Sequence, residues 1–352
     1  MKIKPFIIRK NNILFVAFLA AFLVPGEVAA FEKTDSTLLL SIVSYGATPN
    51  DSSDDQLAIE KCIAAAKIQG KTVFIPEGTF RHSKLIKLNG VSMTGVDRET
   101  AILMATGLAS TIYLSGNGGK LSNFTHAVAS PIERDSETDH GNIGVWLATN
   151  FTIDNLYLHN SSNTGIFCRG ASYGTIKNCY VNSTNADAIH NTFGSHHLTI
   201  TSNKVRNNGD DMIAVVSYGS EDYCHDITIT NNDCRGNYWG RGITVVGGYS
   251  VTITENTISD AAGAGILIAT EGSSEWTTRN IFNVTIDSNT VTHCGLVTKH
   301  PGILLSGLNK NPKNRNIDNI SITNTSSLNN PNGNYLEEGD VTNVKLEGNS
   351  GF

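Results

Sequence analysis

The chain has 352 residues, a formal charge of −6, 33 glycines and 39% apolar residues. That balance disfavours nucleic acid and anionic membranes as partners, because both attract basic surfaces. Abundant Gly, Asn, Thr and Ser, with few helix-forming stretches, argue for one long all-β architecture over two ordinary domains.

In chain order, Lys2, Lys4, Arg9 and Lys10 precede an apolar run from Ile13 to Val24 and the small residues Val28, Ala29 and Ala30. This pattern reads as a signal peptide over residues 1–30, cleaved before Phe31, which sends the protein out of the cell or to a periplasm. The apolar run, about a dozen residues, is too short for a bilayer core of roughly 30 Å. Cleavage removes four basic side chains and Glu27, so the formal charge moves from −6 to −9. The mature chain, residues 31–352, reads as a single domain, with its cap and first strands over residues 31–80.

Asp54 and Asp55 precede Leu57, Ala58, Ile59, Cys62, Ile63 and Ala66, an apolar stripe at helical spacing behind an acidic first turn. The spacing predicts a short amphipathic helix that covers the open end of the first coil. The segment from Thr72 to Phe80 reads as a strand ending in a Pro/Gly turn.

From about residue 150 onward one phrase returns: Ile153-Asp154-Asn155, Ile176-Lys177-Asn178, Ile200-Thr201-Ser202-Asn203, Ile229-Thr230-Asn231-Asn232, Ile253-Thr254-Glu255-Asn256 and Ile286-Asp287-Ser288-Asn289. The Asn-to-Asn steps are 23, 25, 29, 24 and 33. A second short strand follows each, with a Gly-Ile element such as Gly165-Ile166 or Gly242-Ile243. A coil of this length cannot bury its own apolar face, so coils must stack into a parallel solenoid. Equivalent residues then sit roughly 4.8 Å apart, and a buried Asn can bond the Asn above and below it. The longer steps read as loops inserted at coil corners.

Six cysteines, Cys62, Cys168, Cys179, Cys224, Cys234 and Cys294, form no CxxC pair and no Cys/His metal spacing. Two readings stay open: short-loop disulfides, Cys168 with Cys179 and Cys224 with Cys234, or thiols packed inside the coils.

The opening from Tyr45-Gly46-Ala47 through Asp54-Asp55 to Ile75-Pro76-Glu77-Gly78-Thr79-Phe80 resembles the N-terminal module of the pectate-lyase-like superfamily. The resemblance implies a right-handed parallel β-helix over most of the mature chain. Three motifs further resemble the active-site block of polygalacturonases, which are inverting glycoside hydrolases. Asn185-Ala186-Asp187 is similar to that family's Asn-Thr-Asp, Gly209-Asp210-Asp211-Met212-Ile213-Ala214 to its Gly-Asp-Asp-Cys-Ile-Ala, and Gly240-Arg241-Gly242-Ile243 to its Gly-His-Gly-Ile.

Spacing gives an independent reading of the same residues. Asp187 and Asp210 lie 23 residues apart, one coil step, which puts their carboxylates at equivalent places on adjacent coils. Asp211 reaches the same groove only if the backbone turns or bulges, which Gly209 permits. Like charges so close cannot all ionise cheaply, so one carboxyl keeps its proton near neutral pH. The resemblance implies that Asp210 is the general acid, while Asp187 and Asp211 activate water. An inverting attack calls for carboxyls about 6.5–9.5 Å apart.

Arg241 stands where polygalacturonases have His, and Leu267-Ile268-Ala269 where they have a uronate-gripping Arg-Ile-Lys. Substrate contacts are expected from Asn185, His190, Arg241, Tyr238 and Trp239, with His196 and His197 read as surface residues. The expected partner is a polysaccharide or oligosaccharide, pectin-like or related, bound by a monomer without metal or cofactor. Two rival readings are a Ca²⁺-dependent polysaccharide lyase or epimerase, with Arg241 as the base, and a non-catalytic glycan-binding solenoid. Loops around Ser273 to Asn283 and Asn309 to Asn316 are candidates for blocking one end of the groove.

Overall fold

The computed structural model describes residues 38–272, 277–308 and 316–352, which belong to one compact unit, Ser36–Phe352. The leader expected over residues 1–30 lies outside the described residues. So do residues 273–276 and 309–315 of the two expected blocking loops.

Among the described residues the chain winds through three parallel sheets of 12, 10 and 10 strands. We call these the first, second and third sheets; the second begins with Gly78–His82 and the third with Ile86–Asn89. Each coil contributes one short strand to each sheet in turn, so every neighbour in a sheet comes from the adjacent coil. The chain is therefore a parallel β-helix.

The repeated isoleucine explains the core. Ile153, Ile176, Ile200, Ile229, Ile253, Ile286 and Ile322 pair in one unbroken register through the first sheet, and all are fully buried. Complete burial of such a side chain is worth about 1.5–3 kcal/mol. The stack therefore makes up for a coil too small to have a core of its own.

The amide ladder forms, but with a register slip against the sequence reading. Asn203 donates through Nδ2 to Asn232 Oδ1, Asn232 to Asn256, and Asn256 to Asn289, each at 3.0 Å. Asn155 and Asn178 are not part of this ladder. They adopt left-handed φ values of 55°, as do Ser202, Asn231, Glu255 and Ser288 on later coils (55–56°). The interior position beside Asn178 is Cys179, whose N–H donates to Asn203 Oδ1.

The helix spans Gln56–Gln69 and buries Ala58, Ile59, Cys62, Ile63 and Ala66 against the first strands, Leu39–Ser41 and Thr72–Ile75. Leu57, counted in the apolar stripe, instead points outward and is 61% exposed. Asp55 does not cap the helix with its side chain. It accepts Thr48 N–H at 2.8 Å and Arg81 N–H at 2.9 Å, tying the cap to the first coil. The segment expected as one strand breaks at Pro76-Glu77 into Thr72–Ile75 and Gly78–His82, which enter different sheets. All six cysteines are buried free thiols, as in the second of the two readings.

Candidate active site

The turns that carry the chain from the second sheet to the third stack on one another. Three successive turns follow Tyr180–Asn182, Lys204–Asn208 and Asp233–Asn237 and lead into Ile189–Thr192, Ile213–Val216 and Ile243–Val246. They hold Asp187, the pair Asp210-Asp211, and Arg241 respectively. The register Ile189, Ile213, Ile243 aligns Asp187 with Asp211 and Arg241. The expected pairing of Asp187 with Asp210 is thus corrected: the coil step here is 24 residues, and Asp210 stands one place earlier.

Close packing of these turns explains their glycines. Gly209 does not adopt a left-handed φ. It is required because any Cβ there would collide with the carbonyl of Asn185 on the coil below. Gly240 meets the backbone of Asp210 in the same way. With side chains excluded, Asp210 and Asp211 both turn their carboxyls toward Asp187. One oxygen of each of the three lies within 4.8 Å of the others, on the wall of a hollow of about 260 Å³.

Each acid has its own partners. Asp187 accepts the Asp211 N–H through Oδ1 at 2.9 Å and bonds His190 Nδ1 through Oδ2. Asp211 accepts the Arg241 N–H at 2.8 Å and the Thr244 hydroxyl at 2.9 Å, with Arg241 Nε 3.1 Å away. Asp210 pairs with Arg134 Nη1 at 2.6 Å. Asn208 and Asn237 pin the turn itself, donating to the Asp210 carbonyl at 2.6 and 2.7 Å.

These surroundings split the three acidities. Burial pushes the Asp210 carboxyl up and the Asp187 charge pushes it further, with Arg134 opposing, to about 6. Burial also raises Asp211, well above the usual carboxylate range; Arg241 opposes this, while Asp187 and Asp210 add to it. Burial also acts on Asp187, but the His190 bond and charge, Arg134 and the Asp211 N–H outweigh it and hold Asp187 below the usual range. The two shifts run in opposite directions: the surroundings favour the carboxylate at Asp187 and the neutral acid at Asp211.

The structure places the other expected residues as follows. His190 lines the hollow, as do Trp239 and Arg241. Arg241 also reaches Glu271 at 3.2 Å, and Trp239 lies under the Arg134 guanidinium at 5.5 Å. Tyr238 is 63% exposed and outside the hollow. Asn185 donates to the Ile132 carbonyl at 2.6 Å, so it anchors the segment that carries Arg134 instead of facing substrate. His196 and His197 lie on the first sheet, away from the acids. Leu267 and Ala269 are buried and offer nothing in place of the basic pair.

Arg134, Thr244 and Glu271 were not read from the sequence. Arg134 sits 53 residues before Asp187 in a corner loop with no motif around it. Thr244, by contrast, follows the Gly-Arg-Gly motif by two residues on the strand face that also carries His190 and Ala214, a signal that strand alternation would have exposed.

The three acids form the donor set that a divalent cation would use. A calcium ion asks for six to eight oxygens at about 2.3–2.6 Å. Here Arg134 and Arg241 already supply positive charge to Asp210 and Asp211, and His190 already bonds Asp187.

The model of the right-handed β-helix region family matches residues 110–282. A comparison with curated protein sequences finds no match. Among solved structures, the A-module of a mannuronan C-5 epimerase from Azotobacter vinelandii is similar at 15% identity, over 88% of this chain and 98% of that one, with a TM-score of 0.67. An α-1,3-glucanase catalytic unit from Streptomyces thermodiastaticus is similar at 18% identity, over 89% and 69%, with a TM-score of 0.58. An exopolygalacturonase from Thermotoga maritima is similar at 11% identity, over 88% and 92%, with a TM-score of 0.62. At these identities the likeness is one of fold.

Proposed function

We propose that this right-handed parallel β-helix protein is a polysaccharide-cleaving glycoside hydrolase that works through Asp187, Asp210 and Asp211. The observation that carries the reading is the split in acidity within one open cluster. Asp210 gives its proton to the leaving glycosidic oxygen as the C–O bond breaks. Asp187, ionised, takes a proton from the water whose oxygen bonds to the anomeric carbon. Asp211 orients Asp187 through its backbone N–H.

Both oxygens of Asp187 are already in hydrogen bonds. That blunts the carboxylate as a carbon nucleophile but leaves lone pairs for water, so the displacement is single and inverts the anomeric centre. The cations already paired with the acids favour this reading over a Ca²⁺-dependent lyase.

The glycan is of the kind on which proteins of this fold act, and the leader read in residues 1–30 supports an encounter outside the cytoplasm. The test is a panel of polygalacturonate, α-1,3-glucan and mannuronan, assayed for new reducing ends and for unsaturated products, with and without chelator. Saturated reducing ends that survive chelator, and vanish in Asp210→Asn, are expected. Unsaturated products that need Ca²⁺ would replace this reading with a lyase, and binding without turnover would replace it with a glycan-binding solenoid.

A further inference from the structure

The outer face of the third sheet changes character at the catalytic coil. In register along it stand Lys87, Tyr113, Gly144, Phe167 and His190, then Ala214, Thr244, Leu267 and Leu304. On the N-terminal side Lys87 is exposed, and Tyr113, Phe167 and His190 are partly exposed. Ala214, Thr244, Leu267 and Leu304 are buried, none above 4% exposure, and the face opens again only at Leu336 on the sheet's last strand, 45% exposed.

The cover on that side is built from chain distant in sequence. Gly219 N–H donates to the Thr277 carbonyl at 2.6 Å and Arg279 N–H to the Ser217 carbonyl at 2.8 Å, fixing residues 277–279 across the sheet. Glu271 is tied to Thr278 by bonds of 2.8 Å and grips Arg241. The hollow beside the acids ends against Val246 and Glu271.

On the other side it continues. A hollow of about 340 Å³ shares Asp187 and His190 with the catalytic one and runs over Phe167 and Arg169. Thr138 leads on to a hollow of about 520 Å³ walled by Tyr113, Trp146 and Lys87. Lys87 and Leu85 are shared with another of about 570 Å³. Arg169 lies over the Phe193 ring at 3.6 Å and the Trp146 ring at 5.4 Å, with no carboxylate within ion-pair distance among the described residues. An aromatic wall with an unpaired guanidinium suits the apolar face and the hydroxyl or carboxylate edge of a sugar.

We infer that the groove is closed on the C-terminal side of the acids and open on the N-terminal side. A glycan enters by its end, lies over Arg169 and Trp146, and is trimmed from that end. This rests on the hydrolase reading, and the experiment separates the two. Linear oligosaccharides of galacturonate, α-1,3-linked glucose and mannuronate, graded in length, are digested and the earliest products sized. One short product of constant size is expected, with the remainder shortened by that unit; a random ladder of sizes overturns the inference while leaving hydrolysis intact.

Trp146→Ala and, on an exposed side chain less prone to disturb folding, Lys87→Gln are expected to raise KM by a factor that grows with chain length. The factor reaches about tenfold for chains that span the open groove. A penalty independent of length overturns the assignment. If no oligosaccharide is cut, calorimetry of the same series on Asp210→Asn decides the groove by itself: affinity that rises with length and falls in the Trp146→Ala background upholds it, and affinity indifferent to length ends it.

Discussion

Asp210 sits between a charge that raises its pKa and a cation that lowers it, and both leave a mark on the pH profile. With the carboxyl at about 6, activity declines as pH rises through that region, because the acid loses the proton it must donate. The acid limb follows the protonation of Asp187, below the usual carboxylate range. Because the acids interact, both limbs are properties of the cluster. Arg134→Ala removes the cation that holds Asp210 down, so its alkaline limb moves to higher pH; a lowered rate with the limb unmoved would show Arg134 to be only structural. Asp210→Asn removes the acid itself and is expected to cost about 10²–10⁴ in kcat.

A second residue-scale prediction concerns His82 and His126, both fully buried, with Nε2 atoms 3.0 Å apart. His82 Nδ1 reaches the Lys84 carbonyl and His126 Nδ1 faces the Asn142 amide. Two neutral rings satisfy this chain of bonds, and an added proton breaks one. Burial lowers both rings below 6.5. The unfolded chain therefore binds more protons in that range, so the stability is complete above pH 6.5 and drains as pH falls below it. Melting temperatures scanned through that range should decline, and His82→Leu/His126→Leu should flatten the decline.

At the scale of the element, the Asn ladder is a test of buried polar pairing. Asn232 donates to the Ile200 carbonyl and to Asn256, and accepts from Asn203. Asn232→Leu takes the acceptor from the Asn203 backbone N–H and one of the two bonds of its amide, at a cost of about 2–4 kcal/mol, read as a lowered denaturant midpoint. Asn231→Ala, at the exposed left-handed corner, tests backbone preference instead and is expected to cost about 1 kcal/mol.

The ladder also shows what was legible in the sequence. The recurring Ile-x-Asn phrase revealed the coil, because the burial that selects Ile repeats with every turn. It did not reveal register, because two adjacent positions both favour Asn for different reasons: one must bond inside the stack, the other must bear a positive φ. Asp187 was set against Asp210 for a separate reason, a spacing of 23 residues where the coil step is 24. The acids themselves stood out because chemistry fixes their type and coil spacing their neighbourhood. Arg134 did not, since a corner loop is free in sequence and only its three-dimensional reach to Asp210 marks it. The closed end of the groove was equally hidden, as it depends on residues 217–219 meeting residues 277–279 some sixty positions later.

For the whole molecule, the solenoid separates stability from chemistry. Its interior ladders hold the coils, while second-to-third-sheet turns stack functional side chains one strand spacing apart. Loops at other corners then decide what the groove admits. This division explains how proteins of one fold act on different glycans, and why the reaction has to be argued from the turns.

The most direct test of the account is digestion of a cleaved glycan in heavy-oxygen water, with products weighed by mass spectrometry and the new anomer followed by proton magnetic resonance. The account predicts one heavy oxygen at each new reducing end, formed first as the inverted anomer, and none in Asp210→Asn. Chain cleavage without incorporation of the label would contradict it.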